Sequence, residues 1–261
     1  MNTKRQSLIC RLTAKYQVTD GIVLLDFEWQ GTAPCAGQFF LVKPVRSSVF
    51  LARPLSAVFS GGNNAGFLIA LRGRGTAELA AMHPGEEAFL TGPLGNGWTG
   101  FLPQNPIKPV ALLSGGVGIV PLAALLTEFR SCNSVKFDFF AGFRNCMDGE
   151  RIISAVGTGL NEVIIVSEDE NRTQNGKQGL VTGFFEARNY AAVFACGPLP
   201  MLKSVAAICR SAGTPCFVSL EARMACGTGA CLGCVIQSRD GGKRCCADGP
   251  VFNAEEVFFD K

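Results

Sequence analysis

A chain of 261 residues with one histidine, His83, leaves a histidine-based mechanism unsupported. His83 lies in a Met-His-Pro-Gly turn, where a structural role is expected. Charge is also scarce. Charged residues make up 17% and the formal net charge is +3, too weak a field to single out nucleic acid or an anionic membrane as a partner. No apolar run reaches the roughly 20 residues that a membrane-spanning helix needs. Residues 1–18 read as a polar tip followed by a strand, without the apolar stretch and small-residue cleavage site of a secretory leader, so a cytoplasmic location is expected.

Hydrophobic residues make up 48% of the chain, which is the composition of a packed globular protein. Cysteine is plentiful, at 12 residues. Without a secretory leader these fit a reducing compartment rather than a disulfide framework. Cys10, Cys35, Cys132, Cys146, Cys209 and Cys216 are scattered and are expected as small buried apolar residues.

The others concentrate in Glu221–Pro250. Cys226, Cys231 and Cys234 stand at C-x4-C-x2-C, and a fourth thiol follows at Cys245 or Cys246. This is the spacing of plant-type [2Fe–2S] ligation. Each iron takes two thiolates, so the loop must wrap a wide inorganic core. Gly227, Gly229 and Gly233 can adopt positive φ and turn backbone N–H groups inward. Structural zinc favours two paired short knuckles, and only one is present. The Ala-Asp-Gly-Pro turn after Cys246 favours Cys246 over Cys245 as the fourth ligand.

The rest divides in two. Residues 1–102 hold short β-prone runs at 23–29, 38–42, 55–59 and 67–71, punctuated by turns such as 61–64. They predict a small barrel or sandwich, interrupted by a short helix at 76–82 with Thr76 as its cap. Residues 103–220 alternate apolar strands (109–114, 135–141, 162–166, 192–196, 216–220) with helices (121–129, 201–212). That alternation predicts a doubly wound parallel sheet. Two prolines in 102–108 suit a linker, and 221–261 makes a third, small unit.

Several short motifs carry candidate chemistry. Gly115-Gly116-Val117-Gly118 sits on a strand-to-helix turn, where amides and helix dipole would receive a pyrophosphate. It is not G-x-G-x-x-G, and such glycines also serve as plain turn residues. Cys196-Gly197-Pro198 ends a strand at the same sheet edge and leaves room for a flat ring, although taken singly a buried cysteine before a turn is the simpler reading. Arg53-Pro54-Leu55-Ser56 offers a guanidinium for a phosphate and a hydroxyl for a flavin. Gly73-Arg74-Gly75-Thr76 reads as an anion cradle at a helix start. Gly92-Pro93-Leu94-Gly95-Asn96-Gly97 reads as a rigid loop at the end of the barrel, either structural or lining a cofactor. Glu168 and Asp169 after the third strand of the sheet disfavour a 2′-phosphate, while Arg144 pulls the other way.

The order of these motifs resembles the ferredoxin reductase superfamily. With the cysteine segment, and with Gly179-Leu180-Val181-Thr182 and Asp248-Gly249-Pro250-Val251-Phe252, the whole chain is similar to the electron-transfer subunits of bacterial NAD-dependent dihydroorotate dehydrogenases. The resemblance implies FAD held in the barrel by Arg53, Pro54, Leu55, Ser56, Gly75 and Thr76, with a strand contact at Leu68, Ile69 and Ala70. Relatives often carry an aromatic and an arginine where Ile69 and Ala70 stand. It implies NAD at Gly115, Gly116, Gly118, Cys196, Gly197 and Pro198, and a [2Fe–2S] cluster on Cys226, Cys231, Cys234 and Cys246. It also implies an FMN-containing catalytic subunit as partner in a heterotetramer of two copies of each, serving UMP synthesis, with no acid–base residue supplied by this chain. Another flavin/iron–sulfur reductase, ferredoxin- or sulfide-linked, and a redox-sensing module are the alternative expectations.

Overall fold

The computed structural model describes residues 5–58, 63–129, 135–157, 163–169 and 176–258. Phe59, Gly61, Gly62, Cys132 and Glu162, which the expectations above include, lie outside the described residues.

The N-terminal part is a closed antiparallel barrel. Its strands are β1 (Gln6–Thr19), β2 (Ile22–Glu28), β3 (Phe39–Pro44), β4 (Arg53–Val58), β5 (Asn64–Ala70) and β6 (Glu87–Leu94), in spatial order β1-β2-β5-β4-β3-β6. Alternation explains most of it. Val23, Leu25 and Phe27 on β2 point inward while the residues between them face out. β5 breaks the alternation and is apolar on both faces. Ala65, Phe67 and Ile69 fill the barrel, and Leu68 packs on the outside with the core of the second unit. That second face is where the two units join.

Helix α1 (Arg74–Ala81) follows β5. The cap is not the expected Thr76. Gly73 is the N-cap and Thr76 is the third helical residue. The Thr76 hydroxyl accepts from the N–H groups of Arg72 (2.9 Å) and Gly73 (3.1 Å), so it satisfies amides ahead of the helix from within it. The expected loop at 92–97 is likewise shorter, because Gly92, Pro93 and Leu94 belong to β6.

The second part is a seven-stranded sheet flanked by helices. In chain order it comprises β7 (Val110–Gly115), α2 (Ile119–Phe129), β8 (Phe137–Phe143), α3 (Cys146–Val156), β9 (Ile164–Ser167), β10 (Gly176–Gln178), β11 (Ala192–Cys196), α4 (Leu199–Ala212) and β12 (Cys216–Ser219). The order is β10-β9-β8-β7-β11-β12, all parallel, and a final strand from the C-terminal segment completes the edge. Val110 and Leu112 face α2 and α3, while Ala111 and Leu113 face α4. The sheet is therefore covered on both faces, as its unbroken apolar strands require. α3 was not anticipated; the Asn145 side chain caps it, accepting from Asp148 N at 3.0 Å.

After β12 the chain leaves the sheet at Leu220, runs through the cysteine loop, and forms a hairpin of β13 (Val235–Ser238) and β14 (Gly241–Arg244). It returns as β15 (Val251–Asn253), antiparallel to β12, with Ser219 opposite Val251, and ends in α5 (Ala254–Val257). Among the scattered cysteines, Cys10, Cys146, Cys209 and Cys216 are buried as expected. Cys35 is only half-buried, because it lies in the crossing segment 29–38 rather than on a strand. Among the described residues no helix is long and apolar enough to cross a membrane.

Candidate functional site

The cysteine loop is shaped by backbone rather than side chains. Gly227 and Gly229 take φ of +67° and +84°, a region that disfavours residues with a Cβ. Gly233 does not take a positive φ; its neighbour Leu232 does, at +57°. The turns aim amides at sulfur. Thr228 N–H and Cys231 N–H each donate to Cys226 Sγ at 3.4 Å. Gly229 N–H donates to Cys246 Sγ at 3.1 Å, and Cys246 N–H to Cys234 Sγ at 3.4 Å. Cys234 Sγ and Cys246 Sγ are 3.2 Å apart.

The four thiols thus fall into an inner buried pair, Cys234 with Cys246, and an outer pair, Cys226 with the exposed Cys231. Among the described residues no three His, Cys, Asp or Glu side chains gather as a single-ion site. Thr228, through its side chain first and then the backbone N–H groups, holds the Cys226 thiol down to about 5. Burial, and then hydrogen bonding with Cys234, pushes Cys246 up to about 12. Metal binding displaces such protons outright. Cys245 points elsewhere: its thiol donates to Leu220 O at 3.1 Å, and burial pushes it up to about 12.

The turn after Cys246 is held by a pair that sequence reading missed. Asp248 accepts from Arg244 Nε (3.0 Å), Nη2 (2.8 Å) and the backbone N–H (2.7 Å). The Arg244 guanidinium holds the Asp248 carboxyl down to about 2. The only signal was an arginine and an aspartate four apart around two cysteines.

At the barrel, Arg53, Pro54, Leu55 and Ser56 lie half-buried along β4, beside β5 and below α1. Arg53 Nη2 donates to Leu51 O at 2.6 Å, while its Nε is buried and meets no hydrogen-bond partner among the described residues. Gly75 lies against this guanidinium; a Cβ there would sit 2.9 Å from Nη1. Ile69 points into the barrel core and is fully buried, so position 69 can offer a ligand its backbone only. Leu68 is buried outside the barrel and Ala70 is half-buried at the strand end.

The glycine turn interlocks with Cys196-Gly197-Pro198. β7 and β11 run parallel with Ser114 opposite Cys196, so both motifs leave the sheet at one edge. A Cβ on Gly118 would lie 2.3 Å from Cys196 O, and one on Gly115 would lie 2.6 Å from Pro198 Cδ. Gly116 takes φ of +55° and starts a 3₁₀ turn through Gly118, which hands over to α2. Burial pushes the Cys196 thiol up to about 12, which keeps it protonated and non-nucleophilic. Asp169 is committed to structure: its Oδ1 accepts from Cys146 N at 3.3 Å, at the start of α3.

These three places adjoin. β5 packs on the Gly116–Gly118 turn, and Leu68 shares a core with Ile119, Val120 and Cys196. Gly227 sits directly on the barrel: a Cβ there would lie 2.8 Å from Leu41 Cδ1 and 2.9 Å from Leu94 Cδ1. Leu41 pairs with Pro54 across β3 and β4. One strand therefore separates the cysteine loop from the Arg53–Ser56 strand.

Comparison with known proteins gives the same picture. The profile described as the iron–sulfur cluster binding domain of dihydroorotate dehydrogenase B matches residues 221–258. The dihydroorotate dehydrogenase B (NAD(+)) electron transfer subunit of Clostridium perfringens is 38% identical over 244 residues, covering 93% of this chain and 94% of that one. Its counterpart in Caldanaerobacter subterraneus is 36% identical, covering 98% and 100%. Among solved structures, an NADH-dependent reduced ferredoxin-NADP oxidoreductase is similar with a TM-score of 0.79 at 23% identity, over 98% of this chain and 91% of that one. A ferredoxin NADP+ reductase from Neisseria gonorrhoeae is similar with a TM-score of 0.66 at 14% identity, over 79% and 92%. The structural likenesses establish the reductase fold. The curated relatives establish more: the chain belongs to the family of electron transfer subunits of NAD(+)-dependent dihydroorotate dehydrogenase B.

Proposed function

We propose that the chain carries electrons from an FMN-containing, dihydroorotate-oxidising subunit to NAD+, by way of a [2Fe–2S] cluster and FAD, in UMP synthesis. The observation that supports this best is the adjacency of three candidate sites, with the cysteine loop on β3 and β6 and the glycine turn on β5. Bound FAD would exchange a hydride with nicotinamide and single electrons with an iron–sulfur centre, joining two-electron to one-electron chemistry.

This chain's residues bind, orient and shield. Cys226, Cys231, Cys234 and Cys246 would hold the cluster, whose irons would each need two thiolates. The N–H groups of Thr228, Gly229, Cys231 and Cys246 stabilise charge on sulfur. The unpartnered Nε of Arg53 suits a phosphate oxygen, beside Gly75 and Thr76 at the α1 start. Pro54, Leu55 and Ser56, with the backbone of Leu68, Ile69 and Ala70, line the flavin side. Gly115, Gly116 and Gly118 admit the dinucleotide to the start of α2, and Cys196, Gly197 and Pro198 form a ledge without a reactive group. No side chain moves a proton. Glu168 beside the sheet edge supports NAD over NADP. Residues 1–102, 103–220 and 221–261 act as flavin, nicotinamide and cluster units of one subunit, which pairs with the catalytic subunit in a cytoplasmic heterotetramer.

The test is the visible spectrum of anaerobically purified chain, followed on adding NADH or NADPH. Flavin bands with red-brown absorbance, bleached far faster by NADH, support the reading. Coupled NAD+ reduction on adding the catalytic subunit and dihydroorotate completes it. A colourless protein holding stoichiometric zinc overturns it.

A further inference from the structure

The short connector after β6 touches the barrel side, the cysteine segment and the first turn of α2. Gly95 takes φ of +74° and lies so near the C-terminal segment that a Cβ would sit 2.6 Å from Pro250 Cδ and 2.8 Å from Gly249 O. Asn96 then forms a bridge with Pro250. Its N–H donates to Gly249 O at 2.6 Å, and its Nδ2 donates to Ala247 O and Asp248 O, each at 3.3 Å. Those carbonyls directly follow Cys246 in the chain.

Two residues later the chain grips the opposite side. Trp98 is fully buried, and its indole N–H donates to Pro121 O at 3.0 Å, in the first turn of α2. Its backbone N–H donates to Ala36 O of the barrel at 2.9 Å, and its ring lies 5.5 Å from that of Phe194 on β11. A Cβ on Gly97 would lie 2.3 Å from Ala36 O, so the connector is pressed against the barrel between its two grips. Trp98 is held in place by packing, and the exposed Asn96 by its three hydrogen bonds and its bridge to Pro250; such support is what fixes a site to fractions of an ångström.

We propose that residues 95–98 are a positioning element that sets the two transfer geometries separately. Asn96 fixes the cysteine segment on the barrel, and Trp98 fixes there the first turn of α2, which directly follows the glycine turn. This deepens the proposed function and rests on it. In the direction used for the test, the reverse of the proposed flow, bound FAD would take the hydride of NADH, releasing NAD+, and would pass one electron to the cluster, keeping the second electron and the proton in the absence of the catalytic subunit. Trp98 bears on the hydride step and Asn96 on the single-electron step.

Two variants separate the grips. Asn96→Asp keeps the size but sets a carboxylate against two carbonyl oxygens. Trp98→Phe keeps a ring but lacks the indole N–H. Hydrogen–deuterium exchange of the whole chain reads positioning directly. Asn96→Asp is expected to raise exchange in residues 220–250 and leave 115–123 unchanged, and Trp98→Phe is expected to do the reverse. In holoprotein with full FAD and iron content, stopped-flow bleaching with NADH is expected to show the same split. Asn96→Asp slows cluster reduction about tenfold with flavin reduction unchanged, and Trp98→Phe slows flavin reduction, because small misplacements carry rate costs of this order. Equal changes in both segments or both steps, or no change, overturn the inference. Wild-type protein without flavin or cluster absorbance counts against the proposed function instead, and the exchange pattern still decides whether the connector positions the two segments.

Discussion

Cys245 and Cys246 are neighbours in the chain with opposite surroundings. Cys246 Sγ receives Gly229 N–H and lies beside Cys234, while the Cys245 thiol is spent on Leu220 O. Cys246→Ser is expected to reduce iron and acid-labile sulfide to background, while Cys245→Ser retains both, as read by metal analysis and visible absorbance. A second residue acts on stability alone. Asp26 lies on β2, and burial pushes its carboxyl above the ordinary value. A raised acid favours the folded state only while protonated. Its contribution is present below the unfolded value of 3.8 and is lost as pH rises through the folded value. At neutral pH the half-buried charge therefore costs stability, and Asp26→Asn is expected to raise Tm there, with the gain vanishing in acid. A pH-independent gain would show that burial of the charge is not the cause.

At the scale of elements, the approach of the glycine turn to β11 is closer than any side chain permits. Gly118→Ala would place a methyl group 2.3 Å from Cys196 O, so the turn must shift. The expected result is a Kd for NADH raised at least roughly tenfold with FAD content unchanged, measured by titration of the holoprotein. This element was legible in the sequence because an apolar strand, clustered glycines and an apolar helix follow one another directly. So were β2, β4 and β5, as short β-prone runs set off by turn residues. α3 was not, because its helix signal rests on Asn145 and a mixed run with Gly149 inside it. β6 carries Gly92 and Pro93, which read as loop although the strand continues through them. The spacing of the cysteines told more of their chemistry than any other motif. It could not reveal Asn96 or Trp98, whose partners come from contacts that the local pattern does not encode, and an arginine and an aspartate four apart are too common a pattern to single out Arg244–Asp248.

The whole molecule is bound together by strand β15 and by the cover that the cysteine loop gives the barrel. Val251, Phe252 and Met224 are buried, the last two in one core with Leu41, Leu94 and the sheet. Burying one such side chain contributes about 1.5–3 kcal/mol, so three approach the net stability of a domain. Truncation after Leu220 is therefore expected to yield aggregated or poorly soluble protein, judged by size-exclusion chromatography. A monomeric truncated chain with a native-like circular dichroism spectrum would show instead that the first two units stand alone.

The pairing of β12 with β15 also makes the cysteine segment a detour with a shared doorway. The chain departs at Ser219 and re-enters opposite it at Val251, and Leu220 N–H meets Pro250 O at 2.9 Å. The entropy of bringing those ends together is met by the sheet, whether or not metal is bound. Loss of the inorganic core would leave the segment anchored at both ends, ready for reloading without a search. The same geometry makes the detour removable. Replacing residues 222–248 by a short polar turn would keep β15 paired with β12 but uncover Leu41 and Leu94, leaving a chain with no wire to the outside.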